Sequence, residues 1–169
     1  HEALINALTD SELEEVMEEM YVDDTVDIIE EMPANVVKRI LKTSDPENRK
    51  QINELLAYPD DSAGSLMTTE YVSFSPSTSI ETAFDKIRRI GVNKETVYTC
   101  YVTAGRKLLG IVTVKDLLLC ADDEQLIEDI MSTNVISVTT HTDKEEAAKM
   151  LSYYSFLALP VVDRYTSIR

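Results

Sequence analysis

Two groups of acidic side chains stand out by their spacing. Asp23 and Asp27 are four residues apart at the start of a predicted helix, so their carboxylates share one helix face. Like charges at this spacing repel each other modestly, and a bound divalent cation would reverse the sign of that interaction. Asp143 and Glu145 open another predicted helix and form a comparable acidic rim. Both groups offer oxygen ligands to a hard cation, whereas zinc or copper would be a poor match because the sequence has no His/Cys cluster.

The acidic residues are unevenly distributed along the chain. Residues 1–37 hold twelve of the 31 Asp and Glu residues and none of the 16 Lys and Arg residues. The net charge of −15 and the lack of a basic patch argue against nucleic acid as a partner. A solvated helix face that aids solubility remains the alternative interpretation of any single carboxylate, whereas a run of twelve acids without a base is harder to explain by solvation alone.

The first third of the chain is predicted to form short amphipathic helices. Leu13, Val16, Met17 and Met20 follow a helical stripe, and Thr9 has the capping-box spacing to Glu12 at its start. Further helices are predicted to begin near Asp23, with Pro33 in the first turn of the next, and after Asp45. We expect Val26, Ile29, Met32, Val36, Val37, Ile40 and Leu41 to be buried. The segment 58–65, YPDDSAGS, is typical of a break between domains.

An internal repeat follows the break. Residues 67–83 and 131–147 match at a constant offset of 64 residues, with identities at six positions such as Met67/Met131 and Ala83/Ala147. The first copy predicts strands at 71–74, 97–102 and 108–112, and helices at 79–90 and from 114 onward. The second copy predicts a strand at 157–162 and stops before a last strand and closing helix. The fold class is therefore predicted as α+β, an all-helical acidic N-terminal domain followed by two β-α-β-β-α copies, the second truncated.

The repeat resembles the CBS domain, which pairs into a disc-shaped module. The resemblance is carried by residues 110–116, GIVTVKD, in which a Gly opens the last strand and Asp116 opens the following helix. By this resemblance Thr113, Lys115 and Asp116 match a nucleotide-binding motif, with hydroxyl and carboxylate on the ribose and the helix N-terminus on a phosphate. The alternative is structural, with Asp116 acting as a helix cap and Thr113 merely ending the strand.

The residues that precede the repeat make the resemblance more specific. Tyr58, the residues 63–68 with the sequence AGSLMT, the preceding acidic helices and the following pair together are similar to the cytosolic region of MgtE-type magnesium transporters. The resemblance implies that Mg²⁺ is held between the acidic domain and the CBS pair, shutting a transmembrane pore, and that ATP is a possible second ligand. It places metal ligands on Asp23, Asp27 and Glu145, with Asp143 on the same rim and a main-chain carbonyl near Ser65.

The expected organisation is an N domain at 1–57, a first CBS domain at 58–130 and an incomplete second CBS domain at 131–169. The sequence shows no nucleophile–base pair, P-loop or catalytic metal cluster, so we do not expect an enzyme. Its expected partners are a second copy through the CBS domains and the transmembrane domain of the same protein, at the cytoplasmic face of the plasma membrane. The alternative function is an adenine-nucleotide-sensing CBS module of a soluble protein or enzyme.

Overall fold

The computed structural model describes residues 2–169, and its N-terminal part is a helical domain. Its five helices are α1 (Glu2–Ala7), α2 (Asp10–Glu19), α3 (Val22–Glu30), α4 (Ala34–Thr43) and α5 (Pro46–Leu55). They surround one apolar core, whose fully buried side chains include Leu13, Val26, Val36, Ile40, Ile52 and Leu55. Because each helix buries only one stripe, most acidic residues of α2 to α5 stay on the outer surface, whereas Asp23 is half-buried.

Local capping explains where these helices begin. Thr9 is the N-cap of α2 and forms the predicted capping box with Glu12. Asp45 caps α5, accepting hydrogen bonds from the backbone N–H groups of Glu47 and Asn48, and Pro46 occupies the first turn. Arg39 ties α4 to the end of α1, donating to the Asp10 carboxylate over 2.7 Å and to main-chain carbonyls of residues 5 and 8.

Some boundaries differ from the prediction. Pro33 is the N-cap of α4 and precedes its first turn, and Met32 lies beyond the end of α3, where it is only half-buried. The prediction places Val16 on the apolar stripe of α2, but this side chain is 41% exposed, because the line through Leu13 and Met17 faces the core. Val37 and Leu41 are likewise half-buried at the edge of the core.

The first copy of the repeat contains a three-stranded sheet with helices packed against it. Its elements are α6 (Ala63–Leu66), β1 (Ser73–Phe74), α7 (Ile80–Ile90), a 3₁₀ turn (Gly91–Asn93), β2 (Thr99–Ala104), β3 (Lys107–Thr113) and α8 (Val114–Leu119). Strand β2 is central, parallel to β1 and antiparallel to β3. It begins two residues later than predicted, at Thr99, because pairing with β3 starts opposite Thr113. Its core includes Val72, Ile80, Cys100, Val102, Val112, Leu117 and Ile127.

The second copy repeats the beginning of this pattern. Its elements are α9 (Ile127–Ile130), β4 (Val138–Thr139), α10 (Lys144–Tyr154) and β5 (Val161–Val162). The predicted strand at 157–162 shortens to β5, because its parallel partner β4 has only two residues. Residues 166–168 return to the first copy, where Ser167 pairs with Lys107.

Gly110 lies within β3 and does not open it as predicted. A Cβ at this position would stand 2.9 Å from both the Met131 sulfur and the Ser132 carbonyl oxygen. The glycine therefore allows the second copy to cross closely over the first, where Ile111 and Ser132 exchange backbone hydrogen bonds of 3.0 and 2.9 Å.

The two copies are fastened to each other by crossed leading segments. The segment before each copy docks on the other copy, with bridges Ser62↔Asp143 and Ser79↔Leu126 at the same 64-residue offset. Three backbone hydrogen bonds of 2.7–2.9 Å hold the first segment and four of 2.8–3.0 Å hold the second. The helical domain is thus joined, through α6, to the second copy rather than to the first.

Candidate metal site and interdomain cleft

The predicted metal ligand Asp23 lies in the first turn of α3, where the helical domain faces the first copy. The pKa of its carboxyl is raised to about 6, chiefly by burial and to a smaller extent by the charges of Glu95, Asp24 and Asp27. Its Oδ1 atom is buried and has no hydrogen-bond partner among residues 3–169. A buried carboxylate oxygen without a donor is costly in the charged form, so this geometry favours either a proton or a bound cation.

The acidic groups continue from Asp23 toward the second copy. Burial raises the pKa of Glu30, and the nearby carboxylates of Asp60, Asp27 and Asp61 add to this effect. Beyond Asp61 lies the start of α10, where Asp143 is the N-cap. We call this series of residues the acidic seam: Glu95, Asp23, Asp27, Glu30, Asp60, Asp61, Asp143 and Glu145.

The second copy contributes its predicted ligands at this end of the seam. The Asp143 carboxylate accepts a hydrogen bond of 2.8 Å from the backbone N–H of Glu145, and both side chains are exposed. Lys144 lies between them and donates to the Asp61 carboxylate over 2.6 Å. The Asp61 hydrogen bond and charge, with the charges of Asp143 and Glu145, raise the pKa of the Lys144 ammonium.

Ser65 lies in α6 beside this end of the seam. Its hydroxyl donates to the Ser62 carbonyl over 3.0 Å. Because α6 has only four residues, the Ser65 carbonyl oxygen has no donor within the helix. A main-chain ligand near this residue stays a prediction of the sequence resemblance.

The structure brings the predicted metal ligands onto one seam without gathering them into a closed site. Within residues 3–169, no three His, Cys, Asp or Glu side chains stand close enough together to enclose a metal ion. The seam suits a cation that keeps most of its water and uses one or two carboxylates at a time, which is the usual behaviour of Mg²⁺ in proteins. Sequence reasoning missed Glu30, Asp60, Asp61 and Glu95 as members of this surface, although the Asp-Asp pair in the break was visible.

Further contacts join the helical domain to the second copy. Arg169 donates to the Glu54 carboxylate of α5 over 2.7 Å and to the Asp163 carboxylate over 3.0 Å. Tyr58 packs edge-on against His141, with 6.4 Å between the ring centroids. His141, a histidine in a polar turn of the sequence, therefore belongs to the interdomain contact.

The predicted nucleotide residues lie at a cleft between the two copies. Thr113 is the N-cap of α8, and its hydroxyl donates to the Asp116 carboxylate over 2.6 Å while accepting from the Asp116 backbone N–H. Thr113 and Lys115 line a cavity of about 650 Å³, together with apolar side chains from both copies. Its other lining residues include Tyr98, Ile111, Leu118, Asn134, Ile136 and Phe156.

The structural interpretation of Asp116 is therefore realised, since its carboxylate completes a capping box. Thr113 and Lys115 remain available to a ligand in the cavity, because Lys115 is exposed and Thr113 half-exposed. The size of the cavity and its largely apolar walls with a few polar groups are typical of a small-molecule site.

None of the helices within residues 2–169 combines the length and hydrophobicity that a membrane crossing requires.

Comparison with known proteins accounts for both parts of the chain. Residues 1–61 match the family model of the MgtE intracellular N domain, and residues 63–122 and 127–168 match that of the CBS domain. The magnesium transporter MgtE of Thermus thermophilus is 35% identical over 147 residues, which cover 84% of this chain and 32% of the transporter. The chain spans about a third of the length of such curated relatives.

Two solved structures share the whole arrangement. The crystal structure of the soluble part of a magnesium transporter superposes with a TM-score of 0.93 at 32% identity, covering 98% of this chain and 64% of that one. The cytosolic domain of the Mg²⁺ channel MgtE in complex with ATP gives a TM-score of 0.87 at 32% identity, covering 98% and 73%. The predicted resemblance and fold class are confirmed, and the assignment to a transporter family agrees with the prediction that the chain is not an enzyme. The chain belongs to the MgtE family of magnesium transporters, of whose cytosolic region it carries the N domain and CBS domains.

Proposed function

We propose that this chain is the Mg²⁺-sensing part of a magnesium transporter. In this proposal, Mg²⁺ bound between the N domain and the CBS pair favours the closed state of a pore formed by the transmembrane domain of the same protein. The chain then lies at the cytoplasmic face of the plasma membrane and is organised as the N domain 1–57 and CBS domains 58–130 and 131–169. The observation that carries the proposal is the acidic seam, with the unpartnered buried oxygen of Asp23.

Coulomb's law gives the proposal its scale. Two like charges about 4 Å apart repel by about 4 kcal/mol at the effective dielectric of a protein surface, and less with salt. Repulsion across the seam favours separation of the N domain when Mg²⁺ is scarce, and bound Mg²⁺ reverses it. The ratio of closed to open states changes from 1:99 to 99:1 when Mg²⁺ binds the closed state about 5.5 kcal/mol more favourably than the open state. A few weak sites together supply a difference of this size.

The proposed ligands come from both sides of the interface. Asp23 and Asp27 supply carboxylates from α3, Asp143 and Glu145 supply them from the start of α10, and the Ser65 carbonyl lies at the junction. Hydrated Mg²⁺ would bridge these groups through its waters as well as directly. The proposed resident ion is thus a regulator, distinct from the Mg²⁺ that the pore would carry.

The test is a Mg²⁺ titration of this chain, followed by small-angle scattering and limited proteolysis. We expect millimolar Mg²⁺ to compact the chain and protect it, since sites built from few carboxylates and many waters are weak. The double variant Asp23→Asn/Asp27→Asn should require several-fold more Mg²⁺. The matched control Glu14→Gln/Glu15→Gln removes two exposed charges from α2, away from the seam, and should behave like the parent.

Equal Mg²⁺ midpoints for the parent and the Asp23/Asp27 double variant would show that these two residues are not ligands. Absence of any Mg²⁺-dependent change in the parent would contradict the sensing function itself.

We also propose that the chain forms a homodimer through its CBS domains. Sedimentation at several protein concentrations tests this, and a monomer at every concentration would contradict it.

A second candidate function, adenine-nucleotide sensing, is favoured by the 650 Å³ cavity and by the ATP bound in the related cytosolic domain. We propose that ATP enters this cavity, with Thr113 and Lys115 as polar contacts. Calorimetry should show ATP binding that weakens in Lys115→Gln but not in Lys107→Gln, an exposed lysine at the other end of β3. No heat with ATP, ADP or AMP would leave Thr113 and Asp116 with a capping role alone.

A further inference from the structure

The crossed segments provide an internal comparison for the residue at the start of each long helix. At the 64-residue offset, Lys144 of the second copy corresponds to Ile80 of the first, and Asp61 corresponds to Gln125. The backbone contacts are the same, since Lys144 N–H donates to the Asp61 carbonyl over 2.8 Å and Ile80 N–H donates to the Gln125 carbonyl over 3.0 Å. The scaffold therefore forms without an ion pair here, and Ile80 is simply buried in the core.

In the second copy the same position carries a charge. The Lys144 ammonium lies 2.6 Å from an Asp61 carboxylate oxygen, and both side chains are about half-exposed, at 49% and 65%. Asp143 and Glu145 flank it in sequence at the N-terminus of α10. The Lys144–Asp61 pair thus lies at the end of the acidic seam that faces the N domain. In the first copy the equivalent residues, Ile80 and Gln125, cannot form an ion pair.

We propose that Lys144 acts as a tethered cation that pairs with Asp61, beside Asp143 and Glu145, and competes with Mg²⁺ for this end of the acidic seam. This inference rests on the proposed Mg²⁺-sensing function and assigns Lys144 the role of setting its threshold. The three carboxylates and the lysine carry a net charge of −2, which becomes −3 when the ammonium is removed. A stronger negative potential binds a divalent cation more tightly, so the lysine keeps the site from saturating at low Mg²⁺.

The test is calorimetric titration of the chain with Mg²⁺ alone, comparing Lys144→Gln with Lys149→Gln. Lys149 lies on the same helix, is exposed and forms no ion pair with any residue in the described part of the chain, so its replacement makes the same change in net charge. Removal of a unit charge about 6 Å from the ion predicts a threefold to tenfold lower Mg²⁺ midpoint in Lys144→Gln, after screening. Lys144→Arg keeps the charge and should restore the midpoint to within about twofold of the parent.

A midpoint in Lys144→Gln equal to or higher than that in Lys149→Gln overturns the inference and leaves the sensing function intact. Binding by Lys144→Gln with none by the parent supports the inference while contradicting the sensing function of the parent. Absence of binding in all four proteins contradicts both. A circular dichroism melt of each variant confirms that folded proteins are being compared, and Lys144→Arg tests the charge if Lys144→Gln does not fold.

Discussion

At the scale of single residues, the pKa of Asp23 is set by effects that act in opposite directions. Burial and the neighbouring acids disfavour a negative charge on its carboxyl, a backbone hydrogen bond at the start of α3 favours it, and the net result is a pKa of about 6. Because this pKa lies above the ordinary value of 3.8, protonated Asp23 is favoured in the folded state. Its contribution to stability is complete below pH 3.8 and is lost as the pH rises through about 6.

The first prediction concerns Asp23→Asn in the absence of Mg²⁺. At pH 7 the amide removes the cost of a charged, half-buried carboxylate, so the free energy of unfolding should rise by about 1 kcal/mol after allowance for solvent screening. Near pH 4 the gain should vanish, because the parent is then protonated. Urea denaturation at several pH values measures both, with the exposed neighbour Asp24→Asn as the control. A pH-independent difference would mean that Asp23 does not titrate between pH 4 and 6.

The same substitution should have the opposite effect when Mg²⁺ is present. Saturating Mg²⁺ stabilises the parent through the state that binds it, whereas Asp23→Asn lacks one of the proposed ligands and gains less. The two stability curves should therefore cross as Mg²⁺ increases.

At the scale of elements, the short helix α6 decides where the N domain is attached. Gly64 lies within it, and a Cβ there would stand 2.7 Å from both the Thr140 carbonyl oxygen and the Tyr58 ring. The backbone of α6 thus lies against the second copy with no space for a side chain.

The second prediction is that Gly64→Ala loosens this attachment. Overpacking between a backbone carbonyl and a ring should cost about 2 kcal/mol and expose the junction to protease. Gly105→Asn is the matched control, because Gly105 has a φ of +61° in open space and asparagine tolerates that conformation. Equal stability and equal cleavage for Gly64→Ala and the parent would show that α6 can shift without loosening the junction.

The predictability of each element follows from the kind of signal that it leaves in the sequence. Helix α7 is predicted at 79–90 and spans Ile80–Ile90, because its apolar stripe and the Ser79 cap are local features. Helices α6 and α9 escape prediction because four residues do not show a period, and because the equivalent segments DSAGSL and QLIEDI share no identical residue. Their equivalence appears only in the backbone hydrogen bonds.

The members of the acidic seam were predictable to a similar extent. Asp23 and Asp27 stand out because four-residue spacing marks a helix face, and Asp143 and Glu145 because they open a helix. Glu95 and Glu30 do not stand out in the sequence, because their proximity to Asp23 and Asp61 depends on how the N domain packs on the two copies. Long-range juxtaposition of this kind leaves no local pattern.

At the scale of the whole molecule, negative charge is concentrated in the N domain. The net charge of −15 lies mostly in the N domain, whereas residues 38–169 are nearly balanced. Ordinary salt screens this repulsion at all separations, whereas a bound divalent ion also bridges two carboxylates and offsets both of their charges.

The third prediction separates these two effects. A Mg²⁺ concentration about tenfold above its midpoint should stabilise the chain by about 1.4 kcal/mol, or about 4 °C in melting temperature. NaCl at the same ionic strength should give a clearly smaller increase, and Asp23→Asn/Asp27→Asn should reduce the Mg²⁺ effect to the NaCl value. Melting curves followed by circular dichroism measure all three conditions. Identical shifts of the melting temperature in MgCl₂ and NaCl would mean that Mg²⁺ acts on the seam by general charge screening alone.

The crossed attachment of α6 also has a consequence for the order of folding. Asp61 and Lys144 are 83 residues apart in the chain, yet they meet at the junction. During synthesis the N domain emerges first, and its seat on the second copy exists only after α10 has been made and folded. Closing so long a loop is a slow step, because the chain entropy is lost before the contact forms. The docked N domain therefore reports that α10 of the second copy has been made and folded, so a nascent or misfolded pair presents an N domain that is still undocked.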